Sequence, residues 1–132
     1  MIDEQYRKII DTKFDSGYIQ GNDIELIEAY KGFAKGRIRL QDKHLNSWKA
    51  VHGGCLFTLA DTIGGIAGIT CIGNAVTISG NINYLSPAMD TEYITAEATV
   101  IHSGRTTAVV DVIIKADDGR ALTKSTLTFY KV

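Results

Sequence analysis

The sequence lacks three features that would assign it early to a class of protein. Its 14 lysines and arginines face 15 acidic residues, so the net charge is −1 and there is no basic surface of the kind that nucleic-acid binding requires. No block of like charges marks a tail or a membrane-surface patch. Residues 1–8 mix both charges without an apolar run, which argues against a secretory signal. We therefore expect no nucleic-acid partner.

Long hydrophobic runs are also scarce, because only residues 55–73 are apolar over a length that could cross a membrane. Asp61 lies near the middle of that stretch, and a central aspartate alone costs roughly 2.5 to 3.5 kcal/mol on insertion. We interpret the stretch as the core helix of a soluble protein with no membrane partner.

Cysteine is limited to Cys55 and Cys71. They lie sixteen residues apart on one predicted helix, which separates them by about 24 Å and excludes a disulfide between them. Both are expected to be free thiols, which is typical of a reducing compartment. This indicates the cytoplasm.

The patterning predicts one domain over residues 1–132, with an N-terminal helical extension over residues 1–20. Helical spacing of apolar residues predicts an amphipathic helix at residues 3–15, on the outside of the domain, and a long helix from Gly53 to about Ile72. Alternation and turn residues predict strands at residues 24–30, 33–40, 75–85, 92–102, 106–116 and 121–132. Short turns join the last four, so they are expected to form an antiparallel meander.

The long helix carries Gly64, Gly65 and Gly68, each of which costs about 1 kcal/mol relative to alanine, so packing must hold it together. The prediction is an α+β fold in which a curved antiparallel sheet of about six strands wraps around one central helix. One helix cannot cover both faces and both edges of such a sheet, so self-association through an edge strand is expected.

Asp61 is a carboxylate in this otherwise apolar helix, and such a charge is costly to bury without a partner or a task. One interpretation is a structural ion pair with Arg37, Arg39 or Arg105. The other is catalysis, which the spacing of Asp61 from Asn46 and from His52-Gly53-Gly54 favours. Gly53 and Gly54 begin the helix, where free N–H groups and a favourable dipole can stabilise a developing oxyanion.

Rival chemistries have weaker signals. Cys55, in the first turn of the helix and three residues from His52, is an alternative nucleophile, although its apolar neighbours favour a buried thiol. His44, His52 and His102 lack paired metal-ligand spacing, so no metal site is expected. The nucleophile motif of α/β-hydrolases is absent.

Several short motifs together carry a resemblance that covers about residues 24–131. They are Asn46, His52-Gly53-Gly54, the run FTLAD at residues 57–61, the run NINYLSPA at residues 81–88, and Ser103-Gly104-Arg105. The set resembles the hotdog-fold acyl-CoA thioesterases, in particular the phenylacetate-pathway type. That resemblance implies hydrolysis of an acyl-CoA or aryl-CoA thioester to the free acid and CoA, with CoA as part of the substrate and no cofactor.

The resemblance also implies roles for individual residues. Asp61 corresponds to the general base or nucleophile, Gly53 to the backbone donor for the thioester oxygen, and Asn46 to the residue that orients water or the thioester. Thr77 falls where the family has a small hydroxyl residue. It also alternates with Ser79, Asn81 and Asn83 along one strand, a pattern that is equally compatible with the solvent face of that strand.

The remaining candidates concern orientation and substrate binding. His52 is expected to orient the turn, Gly54 to bring backbone close to substrate, and Arg105 to contact CoA phosphates, with a solvated turn arginine as the alternative. Phe57 and Leu85, together with Tyr84 and Met89, suggest an apolar acyl tunnel.

Family resemblance further implies a homodimer or homotetramer with shared sites. Asn46 and Gly53 of one subunit would then face Asp61 and Thr77 of the other. A hotdog domain that binds acyl-CoA as a regulator, without cleaving it, is the alternative function.

Overall fold

The structure is a computed structural model that describes all residues, 1–132. It contains three α-helices, α1 (Arg7–Phe14), α2 (Gly17–Gly21) and α3 (Gly53–Ile72). Its six strands are β1 (Ile24–Tyr30), β2 (Phe33–Arg39), β3 (Ala75–Tyr84), β4 (Tyr93–Ser103), β5 (Thr107–Lys115) and β6 (Ala121–Lys131). Short 3-10 turns occupy Glu4–Tyr6 and Asp42–His44. The predicted α+β class, the long central helix and the six strands are confirmed.

The six strands form one antiparallel sheet in the order β1-β2-β4-β5-β6-β3. The expected four-stranded meander is therefore wrong for β3, which pairs with β6 at the end of the sheet instead of with β4. The reason is the connection over residues 85–92, which is too long for a tight turn. It begins by folding over the start of β6, where the N–H groups of Leu85 and Ser86 donate to the Leu122 carbonyl at 2.8 and 3.3 Å.

Helix α3 lies in the concave side of the sheet and is buried along most of its length. Three glycines of α3 allow close contact with the sheet. A Cβ added to Gly65 would lie 3.5 Å from the Phe129 ring, and a Cβ added to Gly68 would lie 3.3 Å from it. A Cβ added to Gly64 would lie 3.1 Å from a Val112 methyl group. Larger residues there would force the sheet away from the helix. Although α3 is apolar enough to cross a membrane by composition, it is a core helix here.

The N-terminal segment differs from its prediction as one helix over residues 3–15. Helix α1 ends at Phe14 because Asp15 leaves helical geometry, and α2 begins two residues later. Ile10 is 2% exposed, so α1 contributes to the core and is not only an outer layer.

The first residues of the chain also cover one edge of the sheet. Asp3 N–H donates to the Ala29 carbonyl at 2.7 Å, and Ala29 N–H donates to the Met1 carbonyl at 3.1 Å. The outer edge of β1 is thus partly paired. The outer edge of β3 has no strand beside it, which leaves β3 as the open edge of the sheet.

Candidate active site

Asp61 lies two turns into α3 and is half-buried. Its Oδ1 accepts a hydrogen bond from the Thr77 hydroxyl at 2.6 Å, and no basic nitrogen lies within 4.0 Å of the carboxylate. Arg37 instead pairs with Glu25 at 3.1 Å, Arg39 pairs with Glu92 at 3.3 Å, and Arg105 forms no ion pair. The structural ion-pair interpretation of Asp61 is therefore wrong. One carboxylate oxygen is held by a threonine, and the other has no partner within the chain.

A β-bulge in β3 brings Thr77 to Asp61. Thr77 is opposite Phe129 and Gly80 is opposite Leu127, and the register shifts between Thr77 and Ser79. Phe129 and Leu127 face the core, so Thr77 and Gly80 share the helix-facing side although they are three residues apart. Thr77 and Ser79 therefore do not share one face, contrary to the alternative interpretation, although the Thr77 side chain is exposed.

A cavity of about 440 Å³ lies beside Asp61. Its lining includes Gly54, Phe57, Thr58, Asp61 and Thr62 from α3, and Lys13, Ser16, Tyr18 and Ile19 from the N-terminal segment. Most of these side chains are polar. The pocket next to the carboxylate is therefore closed on one side by the N-terminal extension.

The N-terminus of α3 has free backbone donors. His52 is the N-cap residue but makes no side-chain cap, and the N–H groups of Gly53 and Gly54 have no acceptor within the chain. The Tyr84 hydroxyl donates to the Gly53 carbonyl at 2.9 Å, and the Tyr84 ring lies 3.2 Å from the position of a Cβ on Gly53. Glycine at position 53 thus allows the tyrosine to pack against the start of the helix.

A second cavity of about 330 Å³ lies beside Gly53 and is mostly apolar. It is lined by Ala50, Val51, Gly53, Leu56, Tyr84, Leu85, Ser86, Pro87 and Ala88. The residues expected to line an acyl tunnel divide between these two cavities within one chain. Phe57 lies in the cavity beside Asp61, Tyr84 and Leu85 lie in the cavity beside Gly53, and Met89 lines neither.

Asn46 organises the loop that precedes α3. Its side-chain oxygen accepts from Trp48 N–H at 2.9 Å and from Ala50 N–H at 3.2 Å, while its amide NH₂ has no partner within the chain. His52 has an exposed side chain, and its N–H donates to the His44 carbonyl at 2.9 Å. This backbone bond fixes the turn before Gly53.

Arg105 is exposed in the turn between β4 and β5 and lines neither cavity. The structure also brings no three His, Cys, Asp or Glu side chains together in a geometry that could hold a metal ion.

Residues 49–123, more than half of the chain, match the Thioesterase superfamily. The chain belongs to this superfamily. It is 35% identical over 95 residues to the acyl-coenzyme A thioesterase PaaI of Escherichia coli, an alignment that covers 69% of this chain and 65% of that protein. The solved structure of E. coli PaaI superimposes with a TM-score of 0.88 at 25% identity, covering 96% of this chain and 92% of that one.

A Streptococcus mutans protein solved with acetyl-CoA bound superimposes with a TM-score of 0.78 at 32% identity, covering 83% of this chain and 88% of that one. Together with the six strands around α3, these likenesses confirm the expected hotdog fold of the PaaI type. The chain is a thioesterase of that type.

Some residues around the thioesterase cavities were not found from the sequence. Lys13, Ser16, Tyr18 and Ile19 form a wall of the Asp61 cavity, and the Tyr18 hydroxyl bonds the Thr58 hydroxyl at 3.0 Å. No spacing in residues 13–19 indicates that this segment folds back onto the start of α3. Tyr84 was expected only as an apolar lining residue, because its hydroxyl bond to Gly53 depends on tertiary structure.

The Cys55 mechanism can be tested directly in this thioesterase. Burial raises the pKa of the Cys55 thiol to about 11, which favours the protonated thiol over the nucleophilic thiolate at neutral pH. We expect Cys55→Ala to retain thioester hydrolysis within about twofold of wild type. Initial rates of CoA-thioester cleavage, with Cys71→Ala as the matched control, measure this. Loss of activity in Cys55→Ala alone, with an unchanged circular dichroism spectrum, would make Cys55 the nucleophile.

Proposed function

We propose that this chain hydrolyses acyl-CoA or aryl-CoA thioesters to a free carboxylic acid and CoA. The observation that carries the proposal is the Asp61 carboxylate, which is held at one oxygen by Thr77, has no basic nitrogen within 4.0 Å and faces a cavity. The relatives support it, since E. coli PaaI is named an acyl-coenzyme A thioesterase and the S. mutans protein was solved with acetyl-CoA.

In the proposed reaction, the free oxygen of Asp61 removes a proton from water as that water attacks the thioester carbon. The carbonyl π electrons move to its oxygen, which becomes an oxyanion. When the tetrahedral intermediate collapses, the carbon–sulfur bond breaks and the CoA thiolate leaves, to be protonated by the Asp61 carboxyl or by water. Direct attack by Asp61 would instead form a mixed anhydride that water then cleaves.

The proposed oxyanion donors lie at the start of α3. The N–H of Gly53 has no acceptor within the chain and sits at the positive end of the helix dipole. We assign it to the thioester oxygen and the amide of Asn46 to the attacking water or the thioester. His52 orients this turn through its backbone bond to His44.

The two halves of this proposed site come from different subunits. Gly53 and Asp61 are eight residues apart on α3, so their backbones are about 12 Å apart, too far to act on one thioester carbon. The open edge of β3, with Val76 and Ile78 49% and 58% exposed, offers a strand for a second copy. In this homodimer, or in a homotetramer built from it, Asn46 and Gly53 of one subunit face Asp61 and Thr77 of the other.

Substrate contacts follow from the two cavities. Phe57 and Gly54 would contact the acyl group beside Asp61, and Leu85 would contact substrate beside Gly53. Arg105 is assigned to the CoA phosphates, because guanidinium groups bind phosphate well. CoA enters as part of the substrate and no cofactor is required. With both cysteines free, the cytoplasm is the proposed compartment, and residues 1–132 are proposed to act as one domain.

A panel of aliphatic and aromatic CoA thioesters, assayed for release of free CoA thiol, tests this function. Turnover of at least one member above the uncatalysed rate is expected. If every member binds in calorimetry and none is hydrolysed, the chain is an acyl-CoA-binding regulator and the proposal is wrong.

A further inference from the structure

Lys13 is a cation in the Asp61 cavity that has no anionic partner. It lies in the last turn of α1 and is half-buried. Its ammonium makes no hydrogen bond within the chain, and no carboxylate oxygen lies within 4.0 Å of it. An ammonium offers three donors and no acceptor, so this position favours an anion.

The position of Lys13 relative to Asp61 sets the place of that anion. The Lys13 Nζ lies 3.3 Å from the position that a Cβ would take on Gly65, which is four residues beyond Asp61 on α3. The ammonium is thus displaced from Asp61 by about one helical turn, roughly 6 Å along the axis. In the proposed reaction, a short acyl group whose carbonyl lies beside Asp61 would place its distal end near this ammonium.

Part of the remaining cavity wall is also polar and is bonded to α3. The Thr58 hydroxyl donates to the Gly54 carbonyl at 2.9 Å, so at 3.0 Å the Tyr18 phenol must be the donor to Thr58. Ser16 lines the same cavity, and its hydroxyl makes no hydrogen bond within the chain. The wall therefore offers an ammonium and a free hydroxyl beside the apolar surface of Ile19 and Phe57.

We propose that Lys13 makes this site select acyl groups that carry a carboxylate at the end distal to the thioester. The inference rests on the proposed acyl-CoA hydrolysis. Asp61 alone would repel a second negative charge in the cavity, and Lys13 offsets that repulsion by pairing with the distal carboxylate. Lys13 is thus a specificity-determining residue that does not touch the reacting atoms.

The test compares two thioesters of equal chain length, glutaryl-CoA and valeryl-CoA, with wild type, Lys13→Met and Lys13→Arg. Lys8→Met, which removes an exposed lysine of α1, is the matched control. The readout is the ratio of kcat/KM for glutaryl-CoA to that for valeryl-CoA. Both substrates carry the same CoA, so any contact of Lys13 with CoA phosphates cancels in this ratio.

We expect wild type and Lys8→Met to favour glutaryl-CoA, and Lys13→Met to lower the ratio by about 10-fold or more, mainly through a higher KM for glutaryl-CoA. Lys13→Arg should keep most of the preference. If wild type cleaves both thioesters and Lys13→Met leaves the ratio unchanged, the inference is wrong and the proposed function stands. If wild type cleaves valeryl-CoA and rejects glutaryl-CoA, the inference is equally wrong. If it cleaves neither thioester while other members of the panel are hydrolysed, the selectivity is also refuted.

Discussion

Replacement of Asp61 by asparagine is expected to lower kcat/KM for CoA-thioester hydrolysis by about 10³-fold, with little change in melting temperature. Asparagine keeps the size of the side chain and an oxygen that accepts the 2.6 Å hydrogen bond from Thr77. It cannot take a proton from water and cannot attack a carbonyl carbon. The loss should therefore appear in kcat, while the affinity for substrate is retained.

The chain offers a matched control for Asp61→Asn. Asp111 is also an aspartate that accepts a hydrogen bond from a threonine hydroxyl, that of Thr126, at 2.8 Å, and it lines neither site cavity. Asp111→Asn should stay within about twofold of wild type. Near-normal turnover by Asp61→Asn would remove Asp61 from the chemistry and leave only the fold assignment.

The second large effect is expected at Gly53. In Gly53→Ala the new methyl group would lie 3.2 Å from the ring and hydroxyl of Tyr84, so the tyrosine or the start of α3 must shift. A shift of the start of α3 turns the Gly53 N–H away from the thioester oxygen, and loss of one oxyanion donor typically costs about 10²- to 10³-fold in rate. We expect about a 10²-fold fall in kcat, measured by steady-state kinetics.

Gly21→Ala is the control for this substitution, because no atom lies within 4 Å of its Cβ position and it is remote from α3. It should leave both the rate and the melting temperature close to wild type. If Gly53→Ala retained the full rate, the start of α3 would have no part in stabilising the oxyanion.

The hydrophobic pattern was sufficient to predict α3 and the six strands of this fold. The apolar run from Gly53 to Ile72 and the period-two strands after it are local signals, and each element lies within a few residues of its predicted span. The pairing of β3 was not local. Whether residues 85–92 make a turn or carry the chain across the sheet depends on the packing of Ala88 and Leu122 in the core, which periodicity does not encode.

The site shows the same division between local and tertiary signals. Asp61 was conspicuous because a charge in an apolar helix is rare, and the glycines marked the start of that helix. The face of Thr77 was ambiguous, because the bulge at Ile78 breaks the alternation on which the sequence argument depends. Lys13 and Tyr18 had no local signal, since they reach the cavity only through the fold of the N-terminal segment.

The central claim is that one site combines Asp61 of one subunit with Gly53 of another. The direct test mixes two inactive variants, Asp61→Asn and Gly53→Ala, by refolding them together in equal amounts. Random association gives about half of the dimers one subunit of each variant. In such a dimer one site lacks both groups and the other site is intact, so activity should recover to about one quarter of wild type. Each variant refolded alone serves as the baseline. Recovery to that level is the predicted result, and a mixture no more active than the average of the two separate variants would contradict a shared site.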